Sequence, residues 1–140
     1  MRAPPMQLIE ALLACEPDVC NADELDAMTG RVADLKAWCD ALQVRITRRQ
    51  RELASEGRAA DPRSSIARNG RASSKDAKAA ADRETVCTSM PSFEEALARG
   101  SISAGHVDAV ANASRRLDDA VRCEFHDAAA ELLADAERLG

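Results

Sequence analysis

Between Asn21 and about Leu53, the apolar positions Leu25, Met28, Val32, Leu35, Cys39, Leu42 and Ile46 follow one another at spacings of 3, 4, 3, 4, 3 and 4. Arg49 and Leu53 continue the series. Residues three and four apart lie above one another on a helix, so the pattern predicts one long helix carrying a heptad seam. Asn21 reads as its N-cap, and Glu24 at the third helical position completes a capping box. Asp23, Glu24 and Asp26 suit the positive end of the helix dipole, and Arg45, Arg48, Arg49 and Arg51 suit the negative end. At 1.5 Å per residue the helix is about 50 Å long, and its seam requires a partner from later in the chain or from a second copy.

Shorter helices fill the rest of the pattern. Pro4 and Pro5 lead into Met6–Cys15, which Glu16-Pro17-Asp18 ends because the residue before proline disfavours helix. Ala54 to Arg63 is a polar connector containing Gly57 and Pro62. Asp61 caps a short helix to about Arg68, and Asn69-Gly70 supplies a left-handed stop. Ser73 or Ser74 opens a helix to about Cys87. Ser92-Phe93-Glu94-Glu95 has the form of a capping box after Pro91, with Gly100 as its natural end. Ser103 opens the next helix, with Val107, Val110, Ser114 and Leu117 on one face. A last helix from about Asp118 carries Val121, Phe125, Ala128, Leu132, Ala136 and Leu139, a near-heptad stripe that makes it a candidate partner for the long helix. No strand is indicated. The expectation is an all-α, elongated helical domain built on one long heptad-patterned helix with several shorter helices. It reads as a single unit over 1–140: the long helix at 21–54, a connector at 55–72 and a helical remainder at 73–140.

Composition supports helices over strands. Alanine dominates, and the chain has one Trp, two Phe and no Tyr. Small side chains bury little area each, so modest stability is expected. No apolar run is long enough to span a membrane and no signal peptide is recognisable, so a cytoplasmic location follows by default. The five cysteines, Cys15, Cys20, Cys39, Cys87 and Cys123, form no Cys-x-x-Cys pair, and only His106 and His126 could join them. An odd number without close pairing points to free thiols rather than to a disulfide framework or a zinc site. No cofactor, metal or small-molecule ligand is indicated.

Charge changes the picture more. Residues 1–42 carry 3 basic and 8 acidic side chains, residues 43–85 carry 11 and 6, and residues 86–140 carry 5 and 10. The overall net charge of −5 therefore conceals a basic middle of +5 between two segments of −5 each. Arg45, Arg48, Arg49, Arg51, Arg68, Arg71, Lys75 and Lys78 are the candidate nucleic-acid-binding residues, with Arg58 and Arg63 between them. Lys75 and Lys78 stand near a helix start that itself attracts anions. The short helix, Gly70 turn and Ser74 helix have the order of a helix-turn-helix, whose second helix would enter a groove of duplex DNA. The scarcity of aromatic residues disfavours single-strand binding.

Two passages carry a family likeness. One is Ser64-Ser65-Ile66-Ala67-Arg68-Asn69-Gly70 followed by Ser74-Lys75-Asp76-Ala77-Lys78-Ala79-Ala80-Ala81. The other, more specific, runs Pro91-Ser92-Phe93-Glu94-Glu95-Ala96-Leu97-Ala98-Arg99-Gly100-Ser101-Ile102-Ser103-Ala104-Gly105-His106-Val107. Together they resemble domain of unknown function 222, an actinobacterial helical family that usually stands N-terminal to an HNH endonuclease module. The likeness spans most of residues 21–140. Met90-Pro91 stands where the family more often has Leu-Pro, a change that conserves volume. An HNH-like second histidine and a Cys-x-x-Cys are missing. The resemblance therefore implies the leading part of the family's helical domain, as a truncated gene product or an excerpt, with no catalytic residues of its own.

The bland readings of single residues are strong. His106, three residues after Ser103, fits a capping role, and no carboxylate or cysteine lies at ligand spacing. His126 reads as a half-exposed histidine. Glu94–Glu95 and Asp118–Asp119 suit first-turn positions, and no phosphate loop or nucleophile elbow is present. Two functions of different class follow. The first is a non-catalytic module of an HNH-nuclease-associated protein, contacting duplex DNA or positioning the nuclease. The second is a homodimer or a module for a helical protein partner, using the Leu25–Ile46 seam.

Overall fold

The structure, a computed structural model, describes residues 4–115 and 129–139. Its elements are α1 (Pro5–Leu13), a 3-10 turn (Pro17–Val19), α2 (Ala22–Ser55), α3 (Pro62–Asn69), α4 (Ser74–Ser89), α5 (Pro91–Arg99), α6 (Ala104–Ser114) and α7 (Ala129–Leu139). There is no strand among the described residues, and the fold is all-α on one long helix, as the periodicity predicts.

Local chemistry sets most boundaries. The Glu24 backbone N–H donates to Asn21 Oδ1 at 2.9 Å, and the Asn21 N–H donates to Glu24 Oε1 at 3.2 Å, closing the expected capping box. Asp61 Oδ1 accepts from the Arg63 N–H with Pro62 at the first helical position, and Ser73 Oγ accepts from the Asp76 N–H. Gly100 ends α5 with φ 76°, where an L side chain would be strained.

Two expected caps differ. Gly70 is not left-handed: its φ is −83°, and Arg71 takes the positive φ of 54° instead. Glycine is needed at 70 for another reason, since a Cβ there would stand 2.6 Å from the Ile66 carbonyl oxygen. Ser92 does not cap α5. Helix α4 runs on to Ser89, so Met90 alone separates the two helices and becomes the N-cap without a side-chain bond. Glu94 is then drawn to Arg48 rather than back to a cap.

The main core joins α2, α4, α5 and α6. Phe93, Met90, Leu97, Val44, Val107 and Cys87 are among its largest fully buried members, and Ala37, Ala41, Val86, Ala96, Ile102 and Ala111 complete it. Burying one large side chain contributes about 1.5–3 kcal/mol, so Phe93 and Leu97 outweigh the many alanines. Leu133 and Ala136 of α7 pack onto this core, and α7 lies chiefly against α5 rather than α2. The expectation that the last helix partners the long one is corrected to that extent. Its Val121, Phe125, Ala128 and His126 positions lie outside the described residues. A second small core of Ile66, Ala77 and Ala80 holds α3 on α4.

The long helix is unbroken, about 51 Å by its 34 residues. The face it buries is not the heptad seam. Ala37, Ala41, Val44 and Thr47 are its buried residues, and at roughly 100° per residue they point nearly opposite to the seam. Alanines let α5 approach closely, and α5 brings the bulk, Phe93 and Leu97.

Candidate functional site

The eight basic candidates divide into two groups. Arg48 Nη2 reaches Glu94 Oε1 at 2.5 Å while its Nε donates to Thr88 Oγ1 at 3.1 Å, bracing α2 against α5 and α4. The Glu94 carboxylate holds the Arg48 guanidinium above its usual pKa. Arg51 donates to Glu84 Oε1 and to the Ala81 carbonyl, both at 3.3 Å, and the Glu84 side chain is buried. Arg49 pairs with Glu52 at 3.0 Å and Lys78 with Asp82 at 2.8 Å, both along their own helices. The second group is different: Arg45, Arg68, Arg71 and Lys75 are exposed and make no ion pair among the described residues. Arg68, Arg71 and Lys75 share the α3–α4 unit, an eight-residue helix and a 16-residue helix joined through 70–73. That loop length suits a helix-turn-helix. Arg45 stands apart from this unit, on the long helix.

Sequence reasoning missed Arg83, a cation largely withdrawn from solvent. Arg83 Nε and Nη2 donate to the two oxygens of Asp108, both at 2.9 Å, with Asp40 at 3.9 Å from Nη1. The three residues tie α4 to α6 and α2. Burial works against the Arg83 charge, but Asp108 and Asp40 outweigh it, and its pKa is raised overall. Asp40 is raised by burial, with Arg83 opposing and Asp108 adding. The two directions agree physically, because Asp108 takes the bidentate pairing and Asp40 only the outlying one. Nothing local marks such a trio, whose members are 43 and 25 residues apart in the chain.

The nucleophile and ligand candidates are occupied by structure. His106 Nδ1 accepts from the Ser103 N–H at 2.9 Å, the place a glutamate takes in a capping box, so its predicted role holds. Cys87 is buried, and burial pushes its thiol up to about 12. Among the described residues no three His, Cys, Asp or Glu side chains converge as metal ligands. No helix among them is long and apolar enough to cross a membrane.

The long helix offers the other surface. Leu25, Val32 and Ile46 are 40%, 39% and 43% exposed, and Cys39 between them is exposed too. These four stand seven residues apart on one line of α2. The alternate seam positions Met28, Leu35 and Leu42 are half-buried. Helix α1 packs on α2 with Leu8 buried, and Cys20 Sγ lies 4.0 Å from Met28 Sδ, beside this seam.

Among the described residues the fold is all-α, polar side chains such as Asn21, Ser103 with His106, Arg48 and Arg83 cap and brace helices, and α2 turns an apolar line outward. Comparison with protein-family models, with curated proteins and with solved structures gives no match. The resemblance at Pro91–Val107 thus rests on those residues alone.

Proposed function

We propose that this chain is a non-catalytic interaction module whose working surface is the outward line of α2, which receives another amphipathic helix. One observation carries it: every second residue of the heptad series, Leu25, Val32, Cys39 and Ile46, is apolar and exposed, while the same helix buries Ala37, Ala41, Val44 and Thr47 on its other side. Exposed single apolar residues need no explanation, but four in strict register along about 32 Å form a continuous stripe. In the setting that the family likeness implies, such a module would hold a nuclease-bearing chain in place.

A labelled synthetic helix with leucine at both seam positions of each heptad tests this reading. Fluorescence polarisation is expected to show saturable binding to dilute protein. Binding should be lost when Leu25, Val32 and Ile46 are together changed to glutamate with helicity unchanged. Equal binding by that variant would refute the stripe as the receptor.

A second reading, contact with duplex DNA, is favoured by the free cations of the α3–α4 unit. It narrows to Arg68, Arg71 and Lys75, with Arg45 apart from them, because Arg48 and Arg51 are engaged inside the fold. A gel shift on duplex DNA should weaken steeply with salt, and Arg68→Ala with Lys75→Ala should reduce the log–log slope by about 2. No shift at low salt by the folded chain would remove the DNA reading.

A further inference from the structure

The partner of the stripe can be identified from the charge on the same helix. From Ala22 to Leu35, α2 carries four acidic side chains (Asp23, Glu24, Asp26, Asp34) and one basic (Arg31). From Lys36 to Ser55 it carries five basic (Lys36, Arg45, Arg48, Arg49, Arg51) and two acidic (Asp40, Glu52). By formal count the halves are −3 and +3; with Arg48 and Arg51 held inside the fold by Glu94 and Glu84, the second half keeps a net of +1, from Lys36, Arg45 and Arg49 against Asp40 and Glu52, and the apolar line Leu25–Val32–Cys39–Ile46 crosses both halves. An antiparallel copy of this helix presents the opposite order of charge, whereas a parallel copy sets acid on acid and arginine on arginine.

Resting on the docking surface proposed above, we infer that its occupant is a second copy of this chain, paired antiparallel along α2. Two-fold symmetry centres the pairing between Leu35 and Lys36. Leu25 then meets Ile46 of the second copy, and Val32 meets Cys39. Glu24 comes level with the stretch between Arg45 and Arg49 of the other helix. All three lie on one flank of the line, and like flanks meet when two helices pair face to face in opposite directions. Arg45 has no ion pair among the described residues, and Arg49 holds only an exposed i,i+3 partner that exchanges cheaply.

Size sets the strength. A strip about 32 Å long and about 10 Å wide is roughly 300 Å² per copy, or about two-fifths of a standard interface once both copies are counted. The dimer is accordingly weak and concentration-dependent, forming at tens of micromolar rather than nanomolar.

Sedimentation velocity of the whole chain from about 2 to about 200 µM tests the inference, with expected half-dimerisation inside that window. Added salt should weaken the dimer, because charge sets its direction. A monomer at the highest concentration overturns the second-copy inference. If the leucine-rich helix still binds, the docking surface itself survives; if it does not, both readings fall. Val32→Glu with Ile46→Glu should be monomeric at every concentration with unchanged helicity, and a persisting dimer places the contact elsewhere and overturns the inference. Orientation is read by mild oxidation in a background of Cys15→Ser, Cys20→Ser and Cys123→Ser. Antiparallel pairing leaves Cys39 of that background uncrosslinked, since its counterpart lies about 10 Å along the axis, and Val32→Cys restores crosslinking. Crosslinking through Cys39 alone would show parallel helices and overturn the arrangement.

Discussion

Replacing Arg83 by alanine removes a cation that faces two carboxylates at the junction of α2, α4 and α6. The Arg83 side chain is 12% exposed, and those of Asp108 and Asp40 are 32% and 35% exposed. Breaking a fully buried pair costs about 3–5 kcal/mol and an exposed one about 0–1, so this intermediate site should cost about 2 kcal/mol. Urea unfolding at about pH 7 should show a lower midpoint with an unchanged slope, and a melting point lower by about 7 °C at this chain length. Arg49→Ala, whose partner Glu52 is as open to solvent as Arg49 itself, should change stability by less than about 0.5 kcal/mol.

The same variant has a pH signature. The folded pKa of Asp40 is raised, so the folded state holds that proton more tightly than the unfolded chain does. Stability from this group is therefore lost as pH rises through the interval above the ordinary carboxyl value, and regained on acidification. Arg83 restrains that rise more than Lys36 does, so its removal enlarges the effect. The deficit of Arg83→Ala should shrink between about pH 7 and about pH 4, and Asp40→Asn should abolish most of the recovery. A loss below about 0.5 kcal/mol, or a deficit that grows in acid, would refute the ascription of a bracing role to Arg83.

Other outcomes follow from glycine geometry, thiol burial and core size. Gly70→Ala forces a Cβ against the Ile66 carbonyl and should cost more than about 1 kcal/mol, whereas Gly30→Ala, with nothing within 4 Å of its Cβ, should gain about 0.5–1; thermal melts that reverse this order refute it. Exposed Cys39 should react with iodoacetamide in the native chain while Cys87, its thiol pushed up to about 12, reacts only on unfolding, which peptide mapping of the labelled protein will read. Phe93→Ala should cost about 3–5 kcal/mol by urea titration, since its side chain is fully buried where four helices meet. A loss near that of a single methylene would mean that the core closes around the gap.

What the chain determined by itself is local. The 3–4 alternation establishes α2, Asn21 with Glu24 starts it, Asp61 and Ser73 start α3 and α4, Gly100 ends α5, and Ser103 with His106 opens α6. Each is an exchange within four or five residues, so no distant partner is needed to read it. Tertiary structure decided the rest. Which face of α2 turns inward depends on how closely another helix can approach, and the alanines at 37 and 41 win over larger side chains because Phe93 and Leu97 bring the volume from α5. Periodicity records where apolar residues lie but not which stripe finds the complementary shape. Likewise, charge counts grouped Arg48 and Arg51 with Arg68 and Lys75, and only the packing of α4 and α5 brought Glu84 and Glu94 to the first pair and left the second in water. The Arg83 trio was invisible for the same reason, since attraction across 3 Å is blind to sequence distance.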